Sequence, residues 1–164
     1  MAGVRTGRAD DSPRMAELAE LKREQYKTYA VVFHRPKPDA RELHASFLAS
    51  QVENVERHVA LVHEADDGHI DGFLIATLVP APPVYDPGGL TCLVDDFTVD
   101  TPDLWASVGR ELLDEATRLS GPKGAVQTVV VCGPQDAPKR AMLLDSGHIV
   151  ASEWLTKPFS APSN

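Results

Sequence analysis

Two adjacent carboxylates and one glycine are the features of this sequence that could carry chemistry. Residues 95–116 read DDFTVDTPDLWASVGRELLDEA, where a strand pattern passes into a helix pattern through a short turn. Such a turn can bind an anion, because the first N–H groups of a helix have no partner within that helix. A carboxylate near the anion could act as a general base. The sequence therefore raises the question whether this turn binds phosphate or only connects two elements.

In one interpretation of the turn, Ser107 caps a helix and the amides of Val108, Gly109 and Arg110 face an anion. Serine is among the preferred capping residues, and the small residue Ala106 leaves the approach open. The helix dipole contributes about half a positive charge at this end, and the Arg110 guanidinium can add a contact. This interpretation predicts a degenerate phosphate site.

In the competing interpretation, the helix begins at Pro102 with Thr101 as its cap, and the same amides are hydrogen-bonded inside the helix. Gly109 would then be an interior helix glycine, which costs about 1 kcal/mol relative to alanine and needs another reason. The large indole of Trp105 could either cover a cofactor or fill the gap where it would bind. A helix already wound from Pro102, with the indole filling that gap, would exclude a cofactor site at this turn.

Length and composition predict one domain, residues 1–164, that can bury a core without disulfides or metals. The net charge of −8 repels a polyphosphate backbone, so nucleic acid is not an expected partner. No apolar run approaches the ~20 residues of a membrane span. The N-terminus has no apolar stretch of the kind found in a secretory signal, so we expect a cytoplasmic protein.

A metal site is not predicted. Cys92 and Cys132 are far apart in the sequence and have no ligand-spaced neighbours. His63 and His69 have no third ligand beside them. Both cysteines are expected to be buried free thiols.

Hydrophobic periodicity predicts six strands and four helices in the order β, α, α, β, β, β, α, β, α, β. The hairpin is indicated by Asp67-Gly68 between two β-branched runs. The strand 125–132 is apolar on both faces and is expected to be buried between layers. The predicted strands span residues 4–9, 58–64, 70–79, 90–99, 125–132 and 149–157. The predicted helices span about residues 12–29, 40–55, 104–120 and 138–146. The second of these helices is indicated by apolar residues that recur at helical intervals, namely Leu43, Phe47, Leu48, Val52 and Val55.

This order of elements resembles the GNAT superfamily of N-acetyltransferases, over nearly the whole chain and most strongly in DDFTV followed by VGRELLDEA. The resemblance implies an α+β fold, an α/β/α sandwich with a mixed, mostly antiparallel sheet and about four helices. The family's Q/R-x-x-G-x-G/A pattern begins at Leu104 here, and of its defining residues only Gly109 matches. A second signature, N-x-x-A-x-x-x-Y-x-x-x-G, falls on Asp136, Lys139, Leu143 and Gly147, and again only the glycine matches. The family's closing hairpin is shortened here to one strand.

The resemblance implies direct acyl transfer from acetyl-CoA, as cosubstrate, to a small-molecule amine or a protein amino group. Asp96 is the expected base, with Asp95 as the alternative, since adjacent strand residues point to opposite faces. The Val99 N–H would polarise the thioester. The expected cofactor-binding residues are Thr98, Val99, Ser107, Val108, Gly109 and Arg110. The family's tyrosine, which often serves as the general acid, is replaced by Leu143.

Two expectations remain open from the sequence. The departures from both signatures favour an alternative hypothesis, in which the protein is a non-catalytic GNAT-fold module that senses an acyl-CoA or associates with proteins. Trp154 is expected in the core or at the interface of a homodimer.

Overall fold

The computed structural model describes residues 1–160, which form one central sheet with helices on both faces. The five strands are β1 Gly3–Thr6, β2 His58–Glu64, β3 Ile70–Val79, β4 Leu90–Val99 and β5 Ala125–Val130. The four α-helices are α1 Ser12–Lys27, α2 Ala40–Glu53, α3 Val108–Ser120 and α4 Ala137–Asp145. Short 3-10 turns occur at Ala9–Asp11, Pro102–Ala106 and Gly121–Lys123. The predicted α+β class with a mixed sheet and four helices is confirmed.

The strands lie in the order β1-β2-β3-β4-β5, and all neighbours are antiparallel except β4 and β5. The hairpin between β2 and β3 turns through Gly68, whose φ of 83° lies in the left-handed region that glycine adopts readily. The parallel pair β4 and β5 is joined by α3, as the crossover between parallel strands requires. The five strands therefore lie side by side in the same order in which they occur in the sequence.

Each face of the sheet has its own apolar core. Helices α1 and α2 cover one face and α3 and α4 cover the other. The first core includes Met15, Leu18, Leu48, Phe73 and Ile75. The second core includes Leu74, Phe97, Trp105, Leu112 and Met142. Consecutive residues of β3, such as Leu74 and Ile75, belong to opposite cores because strand side chains alternate between faces.

Two elements of the sequence prediction are wrong. Residues 149–157 form no strand, and the apolar side chains of this segment are exposed. A strand needs a hydrogen-bonded neighbour, and this segment has none among residues 1–160. Strand β5 is the edge of the sheet, with three of its positions exposed, so it is not buried between layers. The predicted second helix is confirmed as α2, and of its apolar residues at helical intervals Leu48 and Val52 are buried whereas Leu43 and Phe47 are exposed.

Candidate functional site

The candidate site is the cleft that opens where β4 and β5 separate. The two strands pair from Leu90 as far as Val94 and Val130, and the Val131 amide adds a last hydrogen bond to the Val94 carbonyl. Strand β4 then continues to Val99 without β5 beside it. Polar backbone groups on this free edge of β4 are available to a ligand or to other parts of the chain.

A β-bulge lies at the point where the two strands separate. Asp96 pairs with Ile75 and Val94 pairs with Ala76, so Asp95 is the extra residue on β4. The regular pairing of β4 with β3 is therefore interrupted at Asp95. The bulge turns the Asp95 carbonyl toward α1, where it accepts a hydrogen bond from Lys22 Nζ at 3.2 Å.

The turn between β4 and α3 combines the two interpretations of the sequence. A 3-10 turn is wound from Pro102 with Thr101 at its cap position, as the competing interpretation expected. The chain then breaks at Ser107, with φ −110° and ψ −82°, and α3 begins at Val108. Ser107 is thus the N-cap residue of α3, although its side chain makes no capping hydrogen bond. The amides at the start of α3 belong to a first helical turn, where N–H groups lack partners within the helix.

The indole of Trp105 fills the gap beside this turn. Trp105 is 6% exposed and packs edge-to-face on Phe97, with ring centroids 4.9 Å apart. A Cβ added to Gly109 would stand 2.6 Å from Trp105 Cε3. The close approach of the indole therefore explains why residue 109 is a glycine. The competing interpretation required such a reason, because it placed this glycine inside a helix.

A buried lysine closes the cleft from the other side. Lys139, on α4, is fully buried, and its Nζ donates a hydrogen bond to the Phe97 carbonyl on the free edge of β4 at 3.1 Å. Nζ also lies 5.1 Å from the ring centroids of both Phe97 and Trp105. Burial, together with the charge of Lys22, lowers the pKa of Lys139 to about 7. The resembled signature has alanine where this chain has Lys139.

A hydrogen-bonded bridge joins α1 to the loop after β5 across the mouth of the cleft. The Tyr26 hydroxyl donates to Asp136 Oδ2 at 2.7 Å and accepts from the Gly133 amide at 3.1 Å. Burial raises the pKa of Tyr26, and the Asp136 carboxylate raises it further. The cavity that remains has a volume of about 120 Å³. It is lined by Leu21, Lys22, Gln25, Thr98, Val99, Asp100, Pro102, Trp105, Asp136 and Pro138.

A polar network lies on the opposite face of β4, under α1 and α2. The Arg23 guanidinium donates to His44 Nδ1, so His44 Nε2 carries the hydrogen that is donated to Asp96 Oδ2. Lys22 Nζ lies 3.6 Å from Asp96 Oδ1. Burial alone would raise the pKa of Asp96, but the His44 hydrogen bond and the Lys22 charge outweigh it and hold this pKa below its ordinary value.

Asp95 has a different environment. Its side chain is exposed on the bulge. Partial burial of the carboxyl group and the neighbouring Asp96 charge raise the pKa of Asp95. Of the two predicted carboxylates, Asp95 is thus the better proton acceptor near neutral pH.

The structure places most of the remaining predicted residues at the cleft. Thr98 and Val99 line the cavity, and both are almost fully buried. Val108 and Gly109 are buried at the start of α3. Arg110 points away toward α4, where it donates a hydrogen bond to the Ser146 hydroxyl at 2.9 Å. Sequence reasoning missed His44, Lys22 and Tyr26, which come from distant helices and carry no local motif.

A second and larger groove, of about 470 Å³, lies at the other end of β4 beneath the proline-rich loop of residues 80–89. None of the predicted site residues lines it. Within residues 1–160, no group of three or more His, Cys, Asp or Glu side chains could hold a metal ion. No helix in the same part of the chain has both the length and the apolar character needed to cross a membrane.

No protein-family model matches the sequence, and no curated protein matches it either. Solved structures match the fold over nearly the full chain. A point mutant of the BH1408 protein from Bacillus halodurans superposes with a TM-score of 0.82 at 16% identity, covering 96% of this chain and 99% of that one. A predicted acetyltransferase with acetyl-CoA from Clostridium acetobutylicum gives 0.71 at 14% identity, covering 96% of each chain.

Glucosamine-6-phosphate N-acetyltransferase from Arabidopsis thaliana gives a TM-score of 0.68 at 14% identity, covering 98% of this chain and 99% of that one. At these identities the likeness concerns the fold. The chain has the fold of the GNAT acetyltransferases, with the mixed sheet and the four helices that the sequence predicted and without the predicted last strand.

Proposed function

We propose that the cleft between β4 and β5 binds an acyl-CoA and that the protein transfers its acyl group directly to an amine. The observation that carries this proposal is the free edge of β4, which continues to Val99 after its pairing with β5 stops at Val94. A bound acyl-CoA supplies a thioester, whose acyl carbon is open to attack by an amine. The acceptor is a small-molecule amine or a protein amino group, and the net charge of −8 favours a cationic one.

The residues that would hold the cofactor are those at the cleft and at the start of α3. Thr98 and Val99 would lie along the acyl arm on β4, and the first-turn amides at Val108 and Gly109 would hold the pyrophosphate, with Ser107 at the cap. The Arg110 guanidinium would have to break its hydrogen bond to the Ser146 hydroxyl before it could contact the pyrophosphate. We assign the role of base to Asp95, because Asp96 is already held by His44 and Lys22.

Two side chains occupy space that an acyl-CoA would need in this cleft. Ligand pockets usually hold about 300 Å³ or more, and the cavity here is about 120 Å³. Binding therefore requires Lys139 to release the Phe97 carbonyl and Trp105 to move from Gly109. Losing one such hydrogen bond and one aromatic contact costs about 2–4 kcal/mol. This cost is less than the ~8 kcal/mol of binding free energy at a micromolar site. The closed cleft should therefore weaken acyl-CoA binding about 30- to 1,000-fold without abolishing it.

The test is a calorimetric titration of acetyl-CoA and longer acyl-CoAs into the native protein, Lys139→Ala and Trp105→Ala. We expect weak binding to the native protein and at least about tenfold tighter binding to Lys139→Ala, as removal of the closing contact requires. Lys123→Ala is the matched control, because Lys123 bonds the Val55 carbonyl outside the cleft and should not change affinity. Thiol release against a panel of amines then tests transfer itself.

A second candidate function, a GNAT-fold module without catalysis, is favoured by the packing of Trp105 and Lys139 in the cleft. In that case the two side chains replace the cofactor permanently. Absence of acyl-CoA binding to all three proteins would support this module and refute the transferase. Binding without thiol release from any amine would indicate a sensor of acyl-CoA.

A further inference from the structure

The groove beneath the proline-rich loop of residues 80–89 lies on a part of the sheet that the helices leave open. None of the residues that line it belongs to a helix. Leu93, on its floor, pairs with Thr77, whereas the next pair, Val94 and Ala76, belongs to the core under α3. Because strand side chains alternate between faces, Leu93 lies on the face that α1 and α2 cover elsewhere. The groove is therefore the uncovered end of that face.

The same face carries the Asp95 carboxylate, two residues further along β4 than Leu93. His58 lies on this face, since its Nδ1 is 3.1 Å from Thr77 Oγ1. Burial and the charge of Arg57 lower the pKa of His58, and the Asp95 carboxylate opposes them, which places Asp95 near His58. Two strand residues span about 7 Å. The base proposed for acyl transfer therefore lies at the inner end of the groove, where β4 and β5 separate.

The lining of the groove suits an apolar ligand. Its apolar members include Val79, Pro82, Leu93 and Val129. The polar groups on the floor satisfy each other, because Gln127 Nε2 donates a hydrogen bond to Thr91 Oγ1 at 2.9 Å. The volume of about 470 Å³ falls within the range of small-molecule sites. The groove can thus hold the apolar body of a small molecule.

The roof of the groove is stiff and carries a negative charge. The Tyr85 amide donates a hydrogen bond to the Pro82 carbonyl at 2.9 Å, and the Gly88 amide donates one to Asp86 Oδ1 at 3.0 Å. The prolines of the same loop fix φ, so the roof loses little conformational freedom when a ligand binds. Asp86 is the one charged residue among those that line the groove. With Asp86 on the roof and Asp95 at the inner end, the groove favours a cation over an anion.

We propose that the groove holds the apolar body of the acceptor, an aliphatic or aromatic primary amine, and directs its amino group toward Asp95. This inference rests on the acyl transfer proposed above and names the class of its acceptor. One proton of the ammonium passes to Asp95 and on to solvent, and the freed nitrogen attacks the thioester carbonyl carbon. The carbon–sulfur bond then breaks, and the second nitrogen proton leaves with the sulfur. The products are an amide and the free thiol.

Steady-state thiol release with acetyl-CoA and butylamine, hexylamine or octylamine tests the proposal on the native chain. We expect kcat/KM to rise about fourfold for each added methylene, as burial of that group in an apolar groove implies. Spermidine has the charge without an apolar body and should react no better than butylamine. In calorimetry without acyl-CoA, octylamine should bind more tightly than octanol, which has the apolar body without the charge.

Three variants locate the site. Leu93→Lys places a charge on the floor and should remove the gain with chain length, so that octylamine reacts no better than butylamine. Tyr85→Ala opens the roof at an exposed position and should lower kcat/KM for octylamine about tenfold. Leu43→Lys, on the exposed part of α2, is the matched control and should keep the native dependence on chain length. Circular dichroism establishes that each variant is folded, and Tyr85→Ala tests the groove in case Leu93→Lys does not fold.

The outcomes separate this inference from the proposed transferase. If acetyl-CoA binds in calorimetry and thiol release does not depend on the chain length of the amine, the groove is not the acceptor site and the transferase stands. If acetyl-CoA binds none of the proteins, the transferase fails and the inference fails with it. Equal binding of octanol and octylamine, or loss of the chain-length dependence in Leu43→Lys, also overturns the inference. Tighter binding of octanoyl-CoA than of acetyl-CoA, with that gain lost in Leu93→Lys, would assign the groove to the acyl chain instead.

Discussion

Trp105 and Gly109 are in such close contact that a Cβ on the glycine would stand 2.6 Å from the indole Cε3. The glycine is therefore needed for the packing of the indole, whatever the turn binds. Gly109 is also the one defining residue of the resembled Q/R-x-x-G-x-G/A pattern that this chain keeps. A match of that single glycine consequently carries little weight for a cofactor site by itself.

Gly109→Ala should destabilise the native protein by up to about 2 kcal/mol, because overpacking costs about 1–3 kcal/mol and the gain in helix propensity returns up to about 1. In a Trp105→Ala background the same change should stabilise by about 0.5–1 kcal/mol, since the clash is gone. Urea unfolding of the four proteins gives the coupling free energy. Gly121→Ala is the control, because no heavy atom lies within 4 Å of the added Cβ. Additive effects at 105 and 109 would contradict the contact.

Lys139 should make stability depend on pH between about 7 and 10. Its pKa is lowered from 10.5 to about 7 in the folded protein, so between these values the unfolded chain binds one more proton than the folded one. The free-energy penalty for burying the charged form of Lys139 is absent above about pH 10.5, because the amine is then neutral in both the folded and the unfolded chain. This penalty grows as pH falls and is constant below about 7. The native protein should therefore gain up to about 1.4 kcal/mol per pH unit relative to Lys139→Met as pH rises through this window. If the free energies of unfolding of the two proteins changed with pH in parallel, Lys139 would have an ordinary pKa.

Asp96→Asn should destabilise the protein by about 1–3 kcal/mol at neutral pH, because His44 and Lys22 lose a buried charged partner. The folded pKa of Asp96 is below its ordinary value of 3.8, so this stabilisation is present above pH 3.8 and is lost as pH falls through the folded pKa. The free energies of unfolding of the two proteins should converge in acid. Equal stability at pH 7 would show that the network contributes nothing.

Tyr26→Phe should cost about 1–2 kcal/mol, because the buried Asp136 carboxylate and the Gly133 amide both lose a hydrogen-bond partner. Tyr29→Phe is a matched control, since the Tyr29 hydroxyl accepts its hydrogen bond from the exposed Gln25 side chain. Thermal unfolding of both variants gives the comparison. If the two substitutions had the same effect, the bridge between α1 and the loop after β5 would not stabilise the cleft in its closed form.

Local signals in the sequence predicted most of the fold. The β-branched runs on either side of Gly68 became β2 and β3 with the predicted ends, and the predicted strand 90–99 became β4. These elements follow from periodicity and turn chemistry, which neighbouring residues determine. Helical spacing alone did not reveal which residues of α2 are buried, because Leu43 and Phe47 share that spacing with Leu48 and Val52 but are exposed.

The candidate site was predicted only in part. The cleft-lining residues Thr98 and Val99 were found through the resemblance to the family, and so was Asp95. The bulge at Asp95 depends on the register between β3 and β4, which no local pattern reveals. Lys139 stood at a recognisable signature position, but its burial against Phe97 depends on how α4 packs.

The sequence by itself determined most of the segments that become helices and strands and the order in which they follow, because these depend on contacts within a few residues. Residues 149–157 are the exception, since they have a strand pattern and form no strand. Only the tertiary structure decided that Lys139 and Trp105 meet at Phe97 and fill the cleft, since those residues come from three separate elements. It also decided that β5 is an edge, because the burial of a strand depends on neighbours that its own residues do not encode.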